Sequence, residues 1–436
     1  MTFSNYHRES VQSASHSVVR EAIPKLKHNW SQESWLACSN PYRQDPERQP
    51  NQEDQDSDLT PLAEYVAASV VTHCFDGWSY LGQALEAEMA GNPNTALHLG
   101  YYAELRAAMS VLASVGIGVF RWRHVVFTDE MQCVTLNHNN SHVFTWEALQ
   151  AWADSTSGRD TLFKVIRPGG ISLGEWLSYF TGSSNFIASD WLKQWGLDIS
   201  RLDDDRSTRN RISYRPTALT TPEPIPVAET MKSILGFWEV FEPGAFGGFP
   251  LVDRYLLRRS LALLSEISTD DSEVTKDIYE IRKETMLGSL NPSEFTADQW
   301  KSFLEFDNLQ DSPQIIIDAS ANDDAFHPQH SKQVLARATL LLRVATGATA
   351  DLLDEAGPSL REDLAFWWSS TSVRRRLWLE NDDPSSFVYL WNDISEALSS
   401  FDDYMPNDYY SLWLRNAREA ATLATTERAF LWGVGL

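Results

Sequence analysis

Residues 94–120 read NTALHLGYYAELRAAMSVLASVGIGVF. Leu97, Tyr101, Leu105, Ala108, Leu112 and Val115 recur at steps of three or four, so one helical face collects them. Glu104 and Arg106 fall off that stripe. Asn94 or Thr95 is placed to cap the start, and Gly116 with Gly118 to stop the helix. Asp76–Met89 is a second helix, halted by Gly91-Asn92-Pro93, and the two predict an antiparallel hairpin. After Gly118 the period drops to two: Val119, Arg121, Arg123, Val125 and Phe127 alternate with Phe120, Trp122, His124 and Val126. That pattern predicts a small β-hairpin over 118–144. Asn137–Ser141 turns the chain, and Thr145 is the expected cap of the next helix.

Outward from this stretch the chain is mainly α, with multi-helix bundle domains and one small β insertion. Residues 1–60 form an N-terminal segment, with a helix near 17–27 broken at Pro24 and a polar linker over 39–60. Residues 61–220 form the first helical domain and 221–436 the second. The boundary is placed at Pro222, Pro224 and Pro226, because alternate prolines forbid a helix. In the second domain, Val334, Ala338, Leu341, Ala345, Ala348 and Leu352 stripe a strong helix over 331–355. The run 314–318 reads as a short strand or a turn of buried helix.

Composition narrows the partners. The chain has 436 residues, 17 tryptophans and a formal net charge of −24. The tryptophans read as core aromatics. So acidic a surface disfavours bulk DNA and anionic membranes, and leaves RNA only a local basic patch. Three scattered cysteines make neither a disulfide framework nor a thiolate metal site. No apolar run approaches the roughly 20 residues that span a bilayer. Met1 leads into polar TFSNYHRESVQS, which does not read as a signal peptide. A cytoplasmic protein without a cofactor is expected. No Walker, G-x-S-x-G, H-E-x-x-H, C-x-x-C or G-x-G-x-x-G pattern occurs, and GAFGGFP (244–250) has no following Lys, so it reads as a loop.

Four clusters carry possible chemistry. Arg209-Asn210-Arg211-Ile212-Ser213-Tyr214 lies in an arginine-rich stretch, where Arg209 pairing with the acids at 203–205 is the simple expectation. Arg374, Arg375 and Arg376, flanked by Trp367, Trp368 and Trp378, suit phosphate or a stacked base, or else a solvated face pairing with nearby acids. Asp318, Asp323, Asp324, His327 and His330 have metal-ligand chemistry as a weaker alternative to a capped loop. His138-Asn139-Asn140-Ser141-His142 is turn chemistry at a hairpin tip.

The Arg209–Tyr214 segment and the helical hairpin resemble the HEPN superfamily, whose signature is Arg, a polar residue, then His a few residues on. The resemblance covers roughly residues 60–220. It implies a helical bundle of prokaryotic defence or toxin systems and a metal-independent ribonuclease chemistry. Arg209, Asn210 and Tyr214 would then be catalytic, with Arg374–Arg376 holding RNA. The departure is Tyr214 where the family has His; a phenol near pKa 10 is a poor base at neutral pH. The resemblance therefore favours an interaction or regulatory subunit, as a homodimer or with a protein partner, over an active ribonuclease.

Overall fold

The structure, a computed structural model, describes residues 3–45, 47–51, 58–129, 132–214, 225–245, 247–268, 273–290, 292, 294–305, 312–321, 330–357, 362–380, 382 and 384–435. It is mainly α, with one three-stranded antiparallel sheet in the order β1-β2-β3.

Three long helices form the centre. Thr60–Met89 runs unbroken, merging the two helices expected over 61–89. A tight turn at Gly91, φ +70°, returns the chain into Pro93–Ser114. Asn92 caps that helix by accepting from Thr95 N, two residues before the expected cap. Pro93 at the first position removes an N–H that would have had no partner there. His330–Ala356 then packs against both.

The close fit depends on small residues at the crossings. A Cβ on Gly77 would sit 2.7 Å from Leu342 and 3.3 Å from the Ala103 carbonyl, and one on Gly100 would sit 2.9 Å from Leu335. The predicted stripes on Pro93–Ser114 and His330–Ala356 are both buried. Yet Pro93–Ser114 is covered on more than its stripe: Glu104 is fully buried too, because His330–Ala356 closes over the face expected to meet water.

The sheet follows as expected, with β1 Ile117–Gly118, β2 Arg123–Phe127 and β3 Cys133–Asn137. The next helix starts earlier than expected, at Ser141, because Asn140 accepts from Val143 N. Residues 314–318 settle as helix, within Gln314–Ser320. Ser17–Trp30 passes through Pro24 without ending. Parts of the expected polar linker are tied down: Asn40 donates to the Pro61 carbonyl, and Gln49 accepts from the backbone of Trp122 and Arg123.

One hydrophobic cluster extends from Val11 to Val434. The expected boundary near 221 therefore does not separate two cores: a helix of the second half fills the middle of the first. The prolines at 222 and 224 lie outside the described residues. Eight tryptophans, from Trp78 to Trp432, are fully buried, as a packed aromatic interior requires.

Candidate functional site

Leu202–Tyr214 lies against Pro93–Ser114 and Ser141–Ala153. Arg209 is buried, with its guanidinium over the Tyr101 ring at 4.8 Å and the Tyr102 ring at 5.4 Å. Such contacts satisfy a cation through the ring quadrupole. The expected pairing with the acids at 203–205 does not form. Asp203 takes Arg206 at 2.7 Å, and Asp205 is committed to Arg337. The Arg209 Nε atom has no hydrogen-bond partner among the described residues.

Tyr214 is five residues further on, about 140° around a helix of 3.6 residues per turn. It is 81% exposed, so the structure does not bring it to Arg209. Asn210 is half-buried between them.

Two histidines occupy the neighbourhood instead. His142 Nδ1 lies 2.8 Å from the Tyr101 hydroxyl, with the rings stacked. His98 Nδ1 lies 2.9 Å from Ser213 Oγ, and its ring meets Tyr102 at 5.2 Å. Burial, then Arg209, Arg206 and Arg106, lower the His142 pKa to about 4. Burial and Arg209 also lower that of His98. Both imidazoles are therefore neutral at pH 7 and able to accept a proton, though weakly. No scan for an Arg-to-His spacing finds them, because they precede Arg209 by dozens of residues.

The three-arginine run splays apart. Arg374 faces a shallow pocket of about 350 Å³ beside Trp35 and Trp367. Arg375 lies 3.8 Å from Glu427. Arg376, in a left-handed conformation at φ +62°, lines a separate cleft. Trp367 is engaged by Trp35, Phe75 and Phe430, and Trp368 by Trp378. The run does not form one grip for a phosphate chain.

Of the residues in the metal alternative, only Asp318 and His330 are described. Asp318 accepts from Gln314 at 2.8 Å, and His330 lies 3.3 Å from Asp205. Asp323, Asp324 and His327 lie outside the described residues. Among the described residues no group of three His, Cys, Asp or Glu is placed to hold a metal.

Two larger cavities were not legible in the sequence. In the first, of about 650 Å³, glycines from 169–170, 244–248, Gly347 and 433–435 meet, so the GAFGGFP loop becomes one wall of a cleft. Lys164, Arg167 and Arg343 line it together with Asp253, Glu294, Asp351 and Asp354. Arg343 pairs with Asp253 and Lys164 with Asp351, both at 2.7 Å. Three cations thus face four carboxyls, and the cleft shows no excess attraction for an anion.

The second is about 860 Å³ and lies among the end of Ala365–Arg374, Phe387–Asp403 and Ala417–Leu423. Buried Leu377, Leu390 and Ala397 form its floor, and exposed Leu379 and Tyr389 stand among its lining residues. Arg428 also lines it but is spent internally, on Asp393 and on the Leu377 and Leu390 carbonyls. Among the described residues no helix is long and apolar enough to cross a membrane. No protein-family model matches the chain, and no curated protein or solved structure matches it either.

Proposed function

We propose that this chain is an interaction subunit whose partner docks on the C-terminal helices. One observation carries the reading. Of the 14 large hydrophobic side chains exposed among the described residues, 8 fall between 373 and 414. Leu379, Tyr410 and Leu414 are 75%, 76% and 65% exposed. Tyr410 and Leu414 share a face of Tyr409–Arg415 at a spacing of four. Exposed apolar side chains so concentrated in one segment of the chain are what interaction sites present.

The test uses the tagged full chain beside Leu379→Asp/Tyr389→Asp and Tyr410→Asp/Leu414→Asp variants. A protein that co-purifies in fixed ratio with wild type is identified and titrated in pure form. Binding weakened at least tenfold by either variant supports the reading; equal binding to all three chains, or no specific partner, overturns it. A place in a defence or toxin-type assembly rests on the HEPN resemblance alone.

A second reading, a metal-independent ribonuclease, is favoured by His98 and His142 beside Arg209. It requires Arg209 to leave the tyrosine rings and meet a phosphate. Cleavage of mixed RNA in EDTA that is lost in both Arg209→Ala and His142→Ala would establish it.

A further inference from the structure

We infer that the 860 Å³ cleft receives a cationic amphipathic helix of a partner protein; this rests on the interaction-subunit reading and names the partner's chemistry. Helices supply part of the lining, and the described non-helical residues of 376–385 the rest. Leu377, Leu390 and Ala397 are buried beneath it, and Leu379 and Tyr389 offer the apolar surface that faces solvent. An amphipathic helix laying its apolar face into a groove is a recurrent way of covering exposed side chains of this kind.

Charge decides which helix. The cleft is lined by Glu380, Asp382, Asp393, Glu396 and Glu419 against Arg376, Arg418 and Arg428. Arg428 and Asp393 neutralise each other at 2.7 Å. Four acids then face two arginines. The long wall, FVYLWNDISEALSSFDD, contains no Lys or Arg at all. An incoming segment with Leu-like residues on one side and Lys or Arg flanking them meets Leu379 and Tyr389 with the first and the lining carboxylates with the second. Complementary charge of this kind raises the association rate and selects among partners.

The same composition argues against a second copy of this chain. Two such faces would set acidic walls against each other, within a protein already at −24.

The probes are a labelled synthetic Leu/Lys amphipathic helical peptide and its Leu/Glu counterpart, titrated into the full chain by fluorescence anisotropy. The Leu/Lys peptide is expected to bind, more weakly as salt rises, and the Leu/Glu peptide not to bind. Glu380→Lys/Glu396→Lys and Leu379→Asp are each expected to weaken binding about tenfold. Glu9→Lys/Glu21→Lys makes the same change in net charge at exposed positions on other helices, and is expected to leave affinity within about twofold.

Equal loss in that control overturns the proposal, since it reveals general attraction to an acidic chain. Absence of binding, or equal binding of both peptides, overturns it too. If the peptides fail while capture of the natural partner is still lost in Leu379→Asp/Tyr389→Asp, the cationic-helix assignment falls alone. If both fail, both readings fall.

Discussion

Arg337 reaches across the bundle to Asp205, Nη2 to Oδ2 at 2.7 Å, with both side chains 1% exposed. A second bond runs from Nε at 3.0 Å. This pair ties His330–Ala356 to Leu202–Tyr214. Glu104 lies 3.8 Å from the same guanidinium, and neither of its oxygens accepts a hydrogen bond among the described residues. Burial would push the Asp205 carboxyl up, but Arg337 and His330 hold it below its ordinary value. Burial and the Asp205 charge raise Glu104 well above its own. The same surroundings hold Asp205 toward its charged form and Glu104 toward its protonated form.

The pair predicts opposite outcomes for two similar changes. Asp205→Asn strands the buried Arg337 cation and is expected to cost about 3–5 kcal/mol. Glu104→Gln puts a neutral isostere where burial and Asp205 favour the uncharged acid, and is expected to change stability by less than about 1 kcal/mol. Urea unfolding at pH 7 compares the two, and equal losses would contradict the opposite directions in which the two carboxyls are pushed.

Acid sensitivity is expected from His124. This side chain is fully buried, stacks on Phe144 at 3.7 Å between centroids, and accepts from Phe120 N. Burial is the main cause that lowers its pKa to about 3. The folded value lies below the unfolded one, near 6.5. Its contribution is therefore complete above pH 6.5 and is lost as pH falls from there toward 3. At pH 5 the loss is about 2 kcal/mol, at 1.36 kcal/mol per pH unit. Buried Glu88 and Glu427, with raised values, contribute with the opposite sign. Comparing wild type with His124→Asn between pH 7 and 5 isolates the histidine: the variant is expected to show the shallower decline.

Gly77 and Gly100 set the distance between the three central helices. Gly77→Val is expected to destabilise by about 1–3 kcal/mol through overpacking against Leu342. Gly288, whose Cβ would meet nothing within 4 Å, is the helix-interior control. There Gly→Ala is expected to stabilise by about 0.5–1 kcal/mol. Thermal unfolding of both variants measures the contrast.

Tyr214 and Arg209 are expected to behave differently. Tyr214→Ala removes an exposed ring and is expected to stay within about 0.5 kcal/mol of wild type. Arg209→Ala removes a buried cation from the faces of Tyr101 and Tyr102, and its loss is expected to exceed that of Tyr214→Ala. Denaturant midpoints rank them; a larger loss at Tyr214 would contradict the geometry.

Much of the fold was legible because it depends on local periodicity. The stripes from Leu97 to Val115 and from Val334 to Leu352, and the alternation after Gly118, locate two long helices and a sheet from spacing alone. Helix starts were less legible, since a cap depends on which side chain wins the first free N–H. Asn92 and Asn140 won over the residues expected at 94–95 and 145.

The candidate sites were legible only as residue types. That Arg209 is basic and Tyr214 aromatic is plain from the chain; that one is buried and the other exposed depends on which face of Leu202–Tyr214 meets Tyr101. The sequence by itself determined a helical, acidic, tryptophan-rich chain, because composition and period act over a few turns. Only the tertiary structure decided that Glu104 is buried, that the arginine run diverges, and that an excess of carboxylates lines a cleft with exposed Leu379 and Tyr389. Those outcomes depend on contacts between distant segments, about fifty residues apart at the cleft and more than two hundred at Glu104 and Arg337, whose pairing no local pattern encodes.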